Sequence, residues 1–239
     1  MLRLLKNKTF MLFFIGNITS LIGFGFNLIA ISWMVLEESG SEYLLGKIMA
    51  SATAPGLVLA IFAGVIIDKV NRKWLLVALD IFRMLVVIGF LYHISNNKFE
   101  LSILYPVAFF MGLGNSLFWP TAQAFVQELV SEKDYFDANK LLSASYQVGS
   151  ILGAGIGGLI VHAFSPVAAL WINILTYLVS AIFISLAPFK REKINTEDKS
   201  LYDSIMKGFS YLKSRTDVLI LGLTTILSDV AIWGSLSVL

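Results

Sequence analysis

The sequence predicts an all-α polytopic membrane protein, and three observations carry that reading. The 239 residues are 57% hydrophobic and only 14% charged, with a mean hydropathy of +0.78, whereas a soluble domain carries roughly a quarter charged residues. Seven apolar runs each match the length of a helix crossing a ~30 Å hydrocarbon core, which takes about 20 residues. The charged residues are gathered between those runs rather than spread through them.

The runs have approximate limits Phe10–Leu36, Leu44–Ile67, Trp74–Ser95, Leu101–Val130, Leu141–Phe164, Val167–Pro188 and Val218–Leu239. Arg3, Lys6 and Lys8 precede the first run. That run exceeds the roughly 7–15 residues of a signal-peptide core, so it reads as a retained span. Pro55 in the second span, and Pro106 with Pro120 in the fourth, predict kinks. The one long polar segment is 189–216. At its start, Pro188–Ser200 reads as a flexible linker. Leu201, Ile205, Phe209 and Leu212 recur at helical spacing and predict a short amphipathic helix over Leu201–Lys213, lying along the membrane face. The expected organisation is a six-span unit over 1–188, a cytoplasmic linker with its helix over 189–216, and a seventh span over 217–239.

Lys and Arg placement predicts the orientation. Fifteen of the 18 lie at the N-terminus, in loops 2–3 and 4–5, and in the long loop 6–7; the other side holds only Lys47 and Lys98, and Arg83 falls inside a span. The positive-inside rule then places the N-terminus and loop 6–7 in the cytoplasm.

Several functions are excluded or disfavoured. There is no cysteine, which removes disulfide and thiolate chemistry. His93 and His162 stand apart, without the spacing of a metal pair, so no metal site is expected. A net charge of +2 gives no electrostatic support for nucleic-acid binding. No phosphate loop and no nucleophile–base–orienter set is present, so neither an enzyme nor a cofactor is expected.

Gly64-Val-Ile-Ile-Asp68-Lys69-Val-Asn71-Arg72-Lys73 joins the second and third spans, where a hydrophobic chain must turn in water. It resembles the cytoplasmic signature between spans 2 and 3 of major facilitator superfamily transporters. The resemblance implies a charge latch carried by Gly64, Asp68, Arg72 and Lys73. Gly64 suits close helix approach. Asn71, where the family's turn has a second glycine, tolerates the left-handed conformation. In span 5, Gly149, Gly153, Gly157 and Gly158 resemble the antiporter signature of drug exporters, with Ala154 in place of its proline. Met111-Gly112-Leu-Gly114-Asn115 and Phe118-Trp119-Pro120, with Asp80-x-x-Arg83 in span 3, are similar to the macrolide-efflux and enterobactin-exporter branch. Where many proton-coupled drug exporters carry an Arg four residues before Gly112, this chain has Ala108, so that Arg's role has no bearer here.

The resemblance implies a six-helix N-terminal half made of two inverted three-helix repeats, with substrate bound between two such halves. The chain then reads as that half plus span 7. It is expected to be a truncated or split transporter whose C-terminal half is absent or supplied by another chain.

Charged groups inside spans are costly and face protein or water. Asp80 and Arg83 are i,i+3 on span 3 and are expected to form a structural ion pair. Asp229 lies about 18 Å into span 7 at 1.5 Å per residue. It has no basic neighbour on that span, which makes it the candidate proton-coupling group; a hydrogen-bonded acid packed on another helix is the alternative reading. Asn115, Trp119 and Gln123 follow Met111 at i+4 steps on span 4. Asn17, Ser20, Phe24 and Asn27 recur on span 1, and Ser143, Gln147 and Ser150 on span 5. From these, Asn17, Asn27, Asn115, Trp119, Gln123 and Gln147 are the candidate lining of a substrate cavity. The alternative for each is plain interhelical hydrogen bonding.

The expected function is proton-coupled efflux of a hydrophobic or amphiphilic small molecule by alternating access. The multi-pass chain would sit in the cell membrane with its N-terminus cytoplasmic, and its partners would be substrate, protons and the lipid bilayer. A facilitator for a siderophore or nutrient, or a non-transporting membrane scaffold, are the competing readings.

Overall fold

The computed structural model describes residues 3–190, apart from the side chains of 60 and 61, together with positions 206, 214–217, 220 and 224. The chain divides into two compact units, Met1–Lys193 and Ile194–Leu239; the fold below is that of the first. Asp229, and the linker helix and seventh span save those isolated positions, lie outside the described residues.

Six long helices follow one another: α1 (Lys8–Ser39), α2 (Glu42–Lys69), α3 (Arg72–Asn96), α4 (Leu104–Leu129), α5 (Tyr135–Ala163) and α6 (Pro166–Leu186). Among the described residues there is no strand. α1 and α3–α6 are each long and apolar enough to cross a membrane. α2 joins them as a sixth span if its two pieces, Glu42–Leu59 and Phe62–Lys69, bent by 68°, are taken as one. Pro55 and Pro120 do lie inside helices. Pro106 falls instead in the first turn of α4, where a missing N–H costs no helical bond and no kink is required.

α1, α2 and α3 overrun their apolar windows at both ends, and polar residues cap the helix starts. The Asn7 side chain accepts from the N–H groups of Thr9 and Phe10. Ser41 accepts from Leu44 N, Asn71 from Trp74 N, and Ser165 from Ala168 N. Each bond satisfies a donor that the first helical turn leaves open. Gly40, at φ 60°, ends α1 in the left-handed conformation that glycine adopts without strain. Asn71 is a correction: it sits at φ −74° as an N-cap, so its value is its side-chain oxygen and not tolerance of a left-handed turn.

The packing is two-fold in pattern. α1 packs on α5 and α6, α4 packs on α2 and α3, and α3 packs on α6. Exchanging the first three helices for the last three maps these pairs onto themselves, as two interlocked three-helix repeats require. Small residues make the tightest crossings. A Cβ added at Gly25 would come within 2.6 Å of Gly153 Cα in α5, and one at Gly112 within 1.8 Å of the Ala52 carbonyl oxygen in α2. The first helix of each repeat thus meets the second helix of the other through bare backbone, the close approach that small residues permit in lipid.

Two apolar cores occupy the ends of the bundle. One contains Phe10, Phe13, Leu76, Phe118, Phe125, Leu142 and Ile184. The other contains Ile31, Val35, Ile48, Phe90, Leu104, Met111, Leu170 and Tyr177. Along α1, α3, α5 and α6 the buried polar residues Asn17, Ser20, Asp80, Arg83, Ser145 and Ser180 fall between these two sets. The unit therefore has a polar layer at mid-height.

Candidate functional site

Asp80 and Arg83 lie one turn apart on α3, about 12 and 17 Å from its start at 1.5 Å per residue. Their side chains are 0% and 2% exposed, and Arg83 Nη2 donates to Asp80 Oδ1. Two other helices complete the carboxylate's shell. Ser20 of α1 donates to Oδ1 at 2.8 Å, and Ser180 of α6 donates to Oδ2 at 2.6 Å. Arg83 Nη2 also reaches Ser20 Oγ at 2.9 Å, Nε donates to the Leu79 carbonyl, and Nη1 donates to Asn115 Oδ1 at 2.8 Å. The guanidinium carbon lies 4.2 Å from the ring centroid of Phe118 and 4.5 Å from that of Tyr177. Charge, hydrogen bonds and aromatic faces all hold one rotamer.

Arg83 is also the wall of a cavity of about 300 Å³, lined by Leu21, Phe24, Arg83, Asn115, Phe118, Trp119 and Tyr146. These come from α1, α3, α4 and α5. Trp119 and Tyr146 pack against each other across α4 and α5, with ring centroids 5.0 Å apart. A lining of aromatic surface with a few fixed polar groups is the usual composition of a small-molecule site.

Of the sequence-derived lining residues, the structure brings Asn115 and Trp119 to this cavity. The other four do not line it. Asn17 is fully buried and donates to Ser145 Oγ at 2.8 Å, between α1 and α5. Asn27 is buried along α1, beyond the cavity. Gln123 and Gln147 are exposed and lie outside the lining of this cavity. Met111, which shares the helical face on paper, belongs to the apolar core instead. The sequence reading missed Tyr146, one residue from Gln147, because a 100° step separates neighbours on a helix. Ser180 and Tyr177 had no signal beyond the need of a buried Asp80 for partners on other helices.

The Gly64–Lys73 stretch forms a second cluster, at the end of the bundle where α2, α4 and α6 finish and α3 begins. Arg72 Nη2 pairs with Asp68 at 2.8 Å, and its Nη1 pairs with Glu128 of α4 at 2.8 Å and reaches the Ala124 carbonyl at 3.3 Å. Lys73, buried, donates to the Ala187 carbonyl at the end of α6 at 2.8 Å. Cations at helix C-termini oppose the negative end of the dipole and satisfy its open carbonyls. Arg3 pairs with Asp134 in the α4–α5 connection, and Thr9 Oγ1 donates to the Pro188 carbonyl. Arg72 and Lys73 are thus engaged within the unit. A Cβ at Gly64 would meet nothing within 4 Å among the described residues.

The glycines of α5 divide likewise. A Cβ at Gly149 would press on Leu21, at Gly153 on Ile22 and Gly25, and at Gly157 on Phe26, whereas Gly158 faces open space. The i+4 series faces α1, and Gly158 is a correction to the motif as a packing unit.

Comparison with known proteins fits this architecture. Residues 2–239 match the model of the transmembrane secretion effector family. The chain is 26% identical over 202 residues to a Bacillus amyloliquefaciens protein named for bacilysin export, BacE, covering 84% of this chain and 50% of that protein. It is 29% identical over 185 residues to YfiS of Bacillus subtilis strain 168, an uncharacterized MFS-type transporter (76% and 43%). It is 23% identical over 210 residues to the multidrug efflux pump Tap of Mycolicibacterium fortuitum (85% and 51%). The chain spans about half the length of the curated relatives it matches. With its helical repeats and membrane-length spans, it belongs to the transmembrane secretion effector family of the major facilitator superfamily.

Proposed function

We propose that this six-helix unit is one half of a secondary active exporter that moves an amphiphilic small molecule out of the cell by alternating access, driven by protons. The observation that carries the reading is the aromatic cavity at mid-height, walled by the buried Arg83. A site at that depth, on the face of one six-helix unit, suits a substrate gripped between two halves that rock about it. Two relatives bear the names of exporters, one of bacilysin and one of multiple drugs, which favours outward movement.

In this reading the cytoplasmic side is the end where Arg72 and Lys73 hold the helix termini, and the N-terminus is cytoplasmic in the cell membrane. Asp68, with its side chain 70% exposed, is the part of the motif that meets the other half of a complete transporter. Asp229 remains the candidate proton carrier. Each proton moved inward releases about 2.3 kcal/mol per 100 mV of membrane potential.

The test is accumulation of a fluorescent dye and of a macrolide in cells expressing the full-length protein, with and without a protonophore. Expression should lower accumulation, and the protonophore should abolish the difference. Trp119→Ala should cut export at least several-fold while leaving membrane insertion intact. Accumulation that ignores both the protein and the proton gradient would overturn the reading. Export that survives Asp229→Asn with its pH dependence unchanged would remove that residue as carrier.

A further inference from the structure

We infer that the cavity selects amphiphiles carrying a carboxylate, which is held by Arg83 Nη1 and Asn115 Nδ2. The inference rests on the cavity being the substrate site, as proposed above, and names the class of substrate it takes.

The donor count leads there. A guanidinium offers five N–H groups. Arg83 spends Nε on Leu79, both N–H groups of Nη2 on Asp80 and Ser20, and one of Nη1 on Asn115. The second N–H of Nη1 makes no hydrogen bond among the described residues, although the buried Tyr177 hydroxyl lies close by on the core side of the guanidinium, and it belongs to the nitrogen bonded to a fellow cavity residue. Asn115 is fixed by the same bond. Its Oδ1 must face the guanidinium, because only the oxygen can accept, so Nδ2 turns away from Arg83 and has no partner among the described residues. Two adjacent donors are thus left open on one wall.

Charge points the same way. Among the described residues no carboxylate lines the cavity. Asp80, which balances Arg83, is fully buried behind it, and both its oxygens are occupied by Ser20, Ser180 and Arg83. A cationic ligand would find the negative charge out of reach and the positive edge facing it. A ligand carboxylate finds a charge-assisted pair of donors of the kind planar guanidinium and amide groups give. The remaining lining is Leu21, Phe24, Phe118, Trp119 and Tyr146, which suits an aromatic or aliphatic body.

The experiment uses three probes with one fluorophore: N-dansyl-phenylalanine, its methyl ester, and dansylcadaverine, an anion, a neutral molecule and a cation at neutral pH. Binding to the full-length protein in nanodiscs is followed by dansyl fluorescence, with empty nanodiscs subtracted. The carboxylate should bind about tenfold tighter than the ester, the usual margin of a charged over a neutral hydrogen bond, and the cation weakest. Arg83→Ala should erase the margin but strands a buried Asp80, so the decisive variant is Asn115→Asp. It keeps an oxygen for Arg83 and replaces the donor with an acceptor; the order of anion and cation should reverse, with thermal unfolding confirming the fold. Equal affinities for the three probes, or an order unmoved by Asn115→Asp, would overturn the inference. Proton-driven transport of the same probes is measured in parallel. Export without carboxylate preference defeats this inference alone, and preference without energised export defeats the transport reading alone.

Discussion

Asp80 shows how a single residue organises a membrane bundle. A carboxylate with no exposed surface is tolerated only when its charge and lone pairs are all met, and here α1, α3 and α6 each supply a donor. Removing one member of a buried pair leaves the other charge uncompensated, a cost of about 3–5 kcal/mol, while replacing both with apolar groups of similar volume is often neutral. Asp80→Ala and Arg83→Ala should therefore each lower the unfolding midpoint of the solubilised protein markedly, and Asp80→Leu with Arg83→Met should recover most of the loss. Single variants as stable as the parent would show that the layer does not depend on the pair. The pair itself was legible, since Asp-x-x-Arg on a helix shares one face. Its serines were not: Ser20 and Ser180 are 60 and 100 residues from Asp80 in sequence, and serine is too common in spans to mark a partner.

At the scale of helices, the seams were half legible. Gly149, Gly153 and Gly157 step by four, so they share a face, and that face does meet α1 through Leu21, Ile22, Gly25 and Phe26. What the spacing did not show was which glycine in a rich stretch is idle, because that depends on where the neighbouring helix runs. Gly155, Gly158 and Gly64 face open space, and Gly112 instead sits on the Ala52 backbone. Adding volume at a filled crossing forces backbone apart, typically at about 1–3 kcal/mol. Gly112→Val and Gly153→Val should thus lower the yield of folded protein and its unfolding temperature, and Gly155→Ala and Gly158→Ala, which gain helix propensity in open space, should lower neither. Size-exclusion profiles with thermal unfolding would decide it, and a Gly112→Val variant that behaves as the parent would refute the crossing. Asn17, Asn27, Gln123 and Gln147 lie outside this cavity's lining for a related reason: periodicity gives a face, not what that face touches.

For the molecule as a whole, the six spans within residues 3–190 were readable because lipid demands long uninterrupted apolar helices, and their pairing follows once two three-helix repeats interlock. Orientation needs a separate argument. The contacts gather the N-terminus, the α2–α3 turn, the α4–α5 connection and the end of α6 at one end of the unit, through Arg3–Asp134, Thr9–Pro188 and Lys73–Ala187. Those are also the segments that hold the basic residues, so geometry and charge agree on which ends lie together, and the positive-inside rule favours the orientation proposed above, with that end cytoplasmic. The absence of cysteine from these 239 residues gives a clean test, because a thiol introduced into the unit is the only one within it. Asn97→Cys, just beyond α3 at the opposite end, should react in intact cells with a maleimide that cannot cross the membrane. Lys133→Cys, in the α4–α5 connection, should react only after the membrane is opened. Labelling in the reverse order would invert the unit, put Arg72 and Lys73 outside, and make the cytoplasmic role given to that cluster untenable.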